Sequence, residues 1–241
     1  IDASEPLIGS SLISLNLRGN PLEWVHGKSL SGLVKLKTLT LSQIELRSSH
    51  LARFDGMPEL RFIHLDQLGE NLSSIDGQFC VSSRKLATLS LKLNQLEQVP
   101  QFTSCQGLLS LDLSYNKIHG TLAGNFSRLT NLIDLYLGHN QLEHLGESAF
   151  IGLERLQVLD LGSNHLKTIH SNAFVPLRAS LYELNIANNI QLSQLTSNGL
   201  ERLISLKSYG NNQLRKLPAE FPAARQLVLT FAYHCCDYYN H

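Results

Sequence analysis

Leucine recurs along this chain at a fixed rhythm. From Leu12 to Leu22 the sequence reads LISLNLRGNPL, which reduces to L-x-x-L-x-L-x-x-N-x-L. The same skeleton returns as LATLSLKLNQL (86–96), LLSLDLSYNKI (108–118), LIDLYLGHNQL (132–142) and LQVLDLGSNHL (156–166). Weaker copies start at Leu36, Leu60, Leu181 and Leu203, and a degenerate last one is centred on QLVLTF from Gln226. Leu12 and Leu203 lie 191 residues apart across eight steps, a repeat of about 24 residues. The L-x-L core alternates with period two, so each copy predicts a short strand with its leucines inward and the intervening side chains in solvent. The asparagine falls at the turn that follows, where its amide can satisfy backbone groups that the turn exposes.

A repeat of this length and pattern predicts an α/β leucine-rich-repeat solenoid. The expected form is a curved right-handed horseshoe with a concave parallel sheet and an irregular, short-helix convex side. Between strands a second apolar pattern places Ala149-Phe150 and Ala173-Phe174 ahead of the next leucine, where they should fill the convex half of the core. No repeat buries its apolar face alone, so stability is a sum over neighbours. Residues 1–233 read as one solenoid of about ten repeats and 234–241 as the start of a cysteine-containing hinge. The first residues enter the first repeat at once, as expected of a piece of a longer solenoid. Ile44 and Leu68 stand where the asparagine belongs, and the step from Leu60 to Leu86 is long. Either the curvature changes there or irregular repeats are tolerated.

Lysine plus arginine and aspartate plus glutamate number 20 each, which argues against nucleic acid or a polybasic membrane anchor as the basis of function. The longest apolar run, LVLTFAY, is too short to span a bilayer, so no direct membrane insertion is expected. The opening IDASEPLIGS lacks the features of a signal peptide. No phosphate loop, nucleophile elbow or pair of catalytic carboxylates lies outside the repeat register, so binding rather than catalysis is expected, without a cofactor.

The outward positions of the strands give the candidate binding face: Phe62, His64, Asp66, Asp112, Asp134, Tyr136, Asp160, Glu183, Lys207 and Tyr209, with His139 beside Tyr136. Asp112, Asp134, Asp160 and Glu183 come from four successive strands and are expected to form one acidic stripe able to attract a basic partner. Tyr136 and Tyr209 suit interface anchors. His119, His144, His165 and His170 occupy different positions within their repeats, so they are not expected to gather and no metal site is expected. Asn71 (NLS) and Asn125 (NFS) are N-glycosylation acceptors. Cys80 and Cys105 precede adjacent strands on one side of the coils, close enough for a bridge, although two reduced, buried thiols fit that placement equally.

The segment LSSIDGQFCVSSRKLATLSLKLNQLEQVPQFTSCQGLLSLDLSYNKI, the Asn-poor stretch LKTLTLSQIELRSSHLARFDGMPELRFIHL and the terminal AYHCC together resemble the ectodomain of leucine-rich-repeat G-protein-coupled receptors. The likeness is to the R-spondin and bursicon receptor branch and to the membrane-proximal half of its repeats. It implies a Cys80–Cys105 disulfide, and it makes Cys235 and Cys236 hinge cysteines whose partners lie downstream. It also implies an extracellular protein ligand, a cystine-knot hormone or an R-spondin-like protein, chiefly contacted by membrane-distal repeats. The reading is an ectodomain fragment at the outer face of the plasma membrane. A secreted or cell-surface adhesion or matrix protein is the alternative from another class, and an intracellular scaffold would require reduced thiols.

Overall fold

Each L-x-L becomes a strand of three residues. The computed structural model describes residues 7, 9, 11–23, 25, 27–45, 56–69, 79–218 and 221–229. The chain divides into two compact units, Ile1–Lys117 and Ile118–His241. In the first, β1 (Ser14–Asn16), β2 (Thr38–Thr40), β3 (Phe62–His64), β4 (Thr88–Ser90) and β5 (Ser110–Asp112) pair in parallel in chain order. In the second, β6 (Asp134–Tyr136), β8 (Val158–Asp160), β10 (Glu183–Asn185), β11 (Ser205–Lys207) and β12 (Gln226–Val228) do the same. There, β7 (His144–Leu145) and β9 (Thr168–Ile169) form a separate two-stranded sheet. The register sets inward leucine beside inward leucine, so Leu39, Ile63, Leu89 and Leu111 are fully buried in one unit, as are Leu135 and Leu206 in the other, with Leu159 and Leu184 at 1% exposure. Both units are parallel-sheet solenoids.

The side opposite the sheet holds almost no helix. Among the described residues it is limited to 3-10 turns at Gly27–Leu30 and Val175–Leu177 and one α-helical turn at Phe79–Ser82. The expected Ala-Phe pairs do fill this half of the core: Ala149 and Ala173 are buried, and Phe150 and Phe174 stack with ring centroids 6.0 Å apart and planes 9° from parallel. Phe126, from the shorter repeat before them, is also fully buried. Coils approach closely here: a Cβ on Gly199, whose φ is +88°, would lie 2.3 Å from the Phe174 carbonyl carbon, so this position accepts only glycine.

The asparagines hold coil to coil. The Asn164 amide donates to the carbonyls of Leu137 (2.9 Å) in the preceding repeat and Leu161 (3.0 Å) in its own, while its oxygen accepts the Leu142 N–H (3.1 Å). Asn94, Asn116 and Asn189 repeat the arrangement, bonding two carbonyls and one N–H each. All four are buried. The residue before the ladder position is always left-handed: Gly19, Gln43, Gln67, Leu93, Tyr115, His139, Ser163, Asn188 and Gly210 have φ between 54° and 76°. Seven of these nine are not glycine, at about 1 kcal/mol each, and in the five that precede an asparagine (Leu93, Tyr115, His139, Ser163 and Asn188) the amide bonds offset that strain.

Where the amide is missing, burial takes over. Ile44 and Leu68 are 1% and 0% exposed, the Leu68 N–H is still caught by Asn94 (2.9 Å), and β2, β3 and β4 keep one register. Cys80, in the α-helical turn, is bonded to Cys105 before β5, with Cα atoms 5.0 Å apart and both side chains buried. Asn71, Cys235, Cys236 and the expected hinge lie outside the described residues. No described helix is long and apolar enough to cross a membrane.

Replacing Asn164 with alanine leaves two carbonyls and one N–H buried without a partner, so Asn164→Ala is expected to cost at least about 3 kcal/mol in a urea unfolding curve. A loss under about 1 kcal/mol would refute the ladder as the hold between coils. Cys80→Ser/Cys105→Ser opens a loop spanning a 25-residue separation and is expected to cost about 3 kcal/mol, read by calorimetry.

Candidate functional site

Outward side chains sort into columns by their position in the motif. In the second unit the first column runs Asp134, Val158, Glu183, Ser205, Gln226 and the next runs Tyr136, Asp160, Asn185, Lys207, Val228. The expected single acidic stripe is therefore wrong. Asp134 and Glu183 sit at the third motif position, whereas Asp112 and Asp160 sit at the fifth, and Asp112 belongs to the first unit, beside Ser90. Asp134 and Glu183 face the same column on either side of Val158, roughly 10 Å apart at the usual strand spacing.

The acids also differ in what they do. Asp160 accepts the Gly162 N–H (2.8 Å) and the Asn185 amide (2.9 Å), and Asp112 accepts the Ser114 N–H (2.8 Å) and hydroxyl (2.5 Å). Both carboxylates thus brace the turn out of their strand, as Asn16 does for Arg18 and Asn185 for Ala187. A Cβ at Gly162 would come within 2.7 Å of the Asn185 amide nitrogen, so glycine makes room for this brace. Asp134 has no hydrogen-bond partner among the described residues. Its partial burial, and secondarily the charge of Glu183, raise its pKa above the ordinary aspartate value of 3.8.

Tyr136, Asp160, Glu183, Asn185 and Lys207 surround a shallow hollow of ≈ 220 Å³ on this face. Tyr209, 42% exposed, follows Gly138, Gly162 and Ala187 at the seventh position of successive repeats, a row with little side chain of its own. His139 is exposed in the left-handed turn after Tyr136. In the first unit Phe62, 41% exposed, lies between Thr38 and Thr88, and half-buried His64 lies between Thr40 and Ser90. Asp66 is committed to structure: it accepts the Ser90 hydroxyl and the Lys92 N–H (3.1 Å). Asn125 is partly exposed in a turn outside the strands.

Two groupings escaped the sequence reading. His119, His144 and His165 were expected to be scattered, yet with Gln141 and Glu143 they line one hollow of ≈ 650 Å³ in the second unit. Their motif positions differ, yet all three lie in the segments that follow the ladder asparagines, so they meet across neighbouring coils. His144 Nδ1 lies 2.8 Å from Thr168 Oγ1, and a hydrogen bond from Lys167 holds the Glu143 carboxyl below its ordinary range. Among the described residues no three His, Cys, Asp or Glu side chains form a group that could hold a metal ion. The second grouping is a side-chain relay in which Asn198 donates to Asn172 (2.9 Å) and Asn172 to Glu147 (2.9 Å), tying three repeats. Asn172 and Asn198 share the third place of HSNAF and TSNGL, whereas Glu147 stands at the second place of GESAF, so the relay leaves no aligned column in the sequence.

Residues 10–67, 84–142 and 130–190 match the family model described as leucine rich repeat. The chain is 34% identical over 229 residues to human leucine-rich repeat-containing G-protein coupled receptor 5, covering 94% of this chain and 22% of that protein. It is 35% identical over 234 residues to human receptor 6, covering 96% and 21%. The rat receptor 5 is 30% identical over 229 residues, again 94% and 22%. The chain therefore spans about a fifth of the length of these relatives. Among solved structures, the TLR13–ssRNA13 complex superposes with a TM-score of 0.81 at 26% identity, over 90% of this chain and 32% of that one. The Drosophila Toll–Spatzle complex gives 0.63 at 21% identity, over 88% and 35%, a likeness of fold alone. With family matches over more than half its length and a ladder amide closing repeat after repeat, the chain belongs to the leucine-rich-repeat family.

Proposed function

We propose that this chain is part of the extracellular ligand-binding ectodomain of a seven-transmembrane hormone or growth-factor receptor, of the R-spondin and bursicon receptor type. The observation that carries the reading is the pair Asp134 and Glu183: two outward carboxylates in one column, the first without a hydrogen-bond partner among the described residues and costly to ionise where it stands. Such a pair is improved by the arrival of a cation, so the face suits a basic protein partner. Tyr136 and Tyr209 supply aromatic anchors on the same face. A buried disulfide fits an oxidising compartment and argues against an intracellular scaffold. A glycan on Asn125 would stand clear of the sheet face. The partner is a cystine-knot hormone or R-spondin-like protein, the work is binding rather than chemistry, and occupancy is passed through a hinge to a membrane domain.

The test is the coding sequence that follows His241. Seven apolar segments, each of about 20 residues, are expected. A stop codon in their place would overturn the receptor reading in favour of a secreted adhesion or matrix protein.

Asp134 gives a second check. Its folded pKa is raised, so the folded state binds that proton more readily than the unfolded chain: stability is gained as pH falls through the raised value and is complete below 3.8, while the ionised group is a cost at neutral pH. Asp134→Asn should therefore melt slightly higher than the parent at pH 7, within about 2 °C, and no higher at acid pH. Asp134→Lys/Glu183→Lys should weaken a basic ligand about ten-fold, with a smaller salt dependence of the association rate, in biolayer interferometry.

A further inference from the structure

The equal totals of acid and base conceal a local imbalance in the first unit. The residues that lead into β2, β3 and β4 read VKLK (34–37), PELR (58–61) and RKLA (84–87). In each, the buried Leu36, Leu60 or Leu86 fixes the coil, and its flanking positions point outward. The Arg61 N–H donates to the Lys37 carbonyl (2.9 Å) and the Ala87 N–H to the Arg61 carbonyl (2.9 Å), so the three segments lie side by side at strand spacing. Lys35, Glu59 and Lys85 therefore share one row and Lys37 and Arg61 the next, with Arg84 one residue outside them. Lys35, Lys37, Arg61, Arg84 and Lys85 are all exposed.

Five cations thus meet one carboxylate. Glu59 is bonded to Lys85 and is held below the ordinary glutamate range first by that hydrogen bond and then by the charges of Lys85, Arg61 and Lys37. Among the described residues Lys35, Lys37, Arg61 and Arg84 have no carboxylate within ion-pair distance. The remaining positions of these segments are Val34, Pro58 and Ala87, and the exposed ring beside them is Phe62, which follows Arg61 at the start of β3. A cationic surface with a single neighbouring ring offers no row of stacking platforms for the successive bases of a single-stranded nucleic acid, but it suits a polyanion recognised through its charges.

We propose that the edge formed by Lys35, Lys37, Arg61, Arg84 and Lys85 is a docking surface for a linear sulfated polysaccharide. The choice of a polysaccharide found outside cells rests on the ectodomain reading above. The patch belongs to the first unit and Asp134 and Glu183 to the second, so one molecule offers an acidic face to a basic protein and a basic edge to an acidic glycan. Association is driven by release of counterions and weakens steeply as salt rises.

Fluorescence anisotropy of a labelled, size-defined heparin oligosaccharide titrated with the whole chain tests this. Lys35→Gln/Lys37→Gln/Arg61→Gln/Arg84→Gln should weaken binding at least about ten-fold and flatten the dependence of affinity on salt. Glu59→Gln, which removes the lone carboxylate, should tighten binding about two- to three-fold. Arg202→Gln/Arg215→Gln/Lys216→Gln/Arg225→Gln, an equal loss of charge in the second unit, should leave affinity within about two-fold of the parent. Desulfated oligosaccharide should not bind. No binding of heparin at low salt, equal binding by the first variant, or equal loss in the second-unit variant would overturn the proposal. Tighter binding of single-stranded RNA than of heparin would assign the edge to nucleic acid instead. None of these failures touches the receptor reading, which stands or falls on the sequence after His241.

Discussion

The whole arrangement depends on one side-chain amide per turn. A chain that turns sharply after every three-residue strand leaves carbonyls and N–H groups facing inward, away from water, where an unmade hydrogen bond costs about 1–3 kcal/mol. Asn164 and its counterparts meet two such carbonyls and one N–H at once, and one of the carbonyls belongs to the preceding coil. The same residue therefore satisfies its own turn and fastens it to its neighbour. This is why a left-handed residue can precede it without being glycine, as Leu93, Tyr115 and His139 do before Asn94, Asn116 and Asn140. It also explains how Ile44 and Leu68 are tolerated, since Asn94 still captures the Leu68 N–H and the apolar side chains are buried completely.

Because inward leucines and ladder amides carry the stability, the outward positions of the strands are free to vary without loosening the coils. The division is not complete. Asp66, Asp112 and Asp160 face outward yet spend an oxygen on a neighbouring backbone N–H. Asp134 does not, and together with Glu183 it gives the second unit an acidic spot on the face that also carries Tyr136 and Tyr209. In the first unit the uncommitted charge is basic and lies at the entrance to the strands rather than on their face. The two surfaces carry opposite sign although the chain as a whole has no net charge.

What could be read from residues alone followed the leucines. Period-two burial gave away ten strands and their order, and the Ala-Phe pairs marked the outer core, because both signals recur at fixed offsets. The acidic stripe failed for a related reason: strands were counted, but the position within each motif was not, and a shift of two residues along a strand moves a side chain to another column. The structural use of Asp112 and Asp160 was equally hidden, since an aspartate that braces a turn and one that faces a ligand look alike in a string of letters. The left-handed row carries no compositional mark, being filled by Gln, Leu, Tyr, His, Ser and Asn as well as Gly. Cys80 and Cys105 could be placed near each other by coil position, while their bond came only with the family likeness. Summed charge hid the basic edge, because its members are spread over 50 residues of chain and meet only when the coils stack.

If the amides are what fasten coil to coil, the N–H groups they accept should behave as sheet hydrogen bonds although they lie outside every strand. Those of Leu96, Ile118, Leu142, Leu166 and Asn189 donate to Asn116, Asn140, Asn164, Asn189 and Asn211. Native-state hydrogen exchange of these five amides is the most direct measurement. Protection equal to that of the central strand residues Leu135, Leu159 and Leu184 is the result predicted, since all would open only with the surrounding repeats. Exchange at the rate of ordinary surface turns would contradict the account, leaving the leucine core alone to hold the coils together.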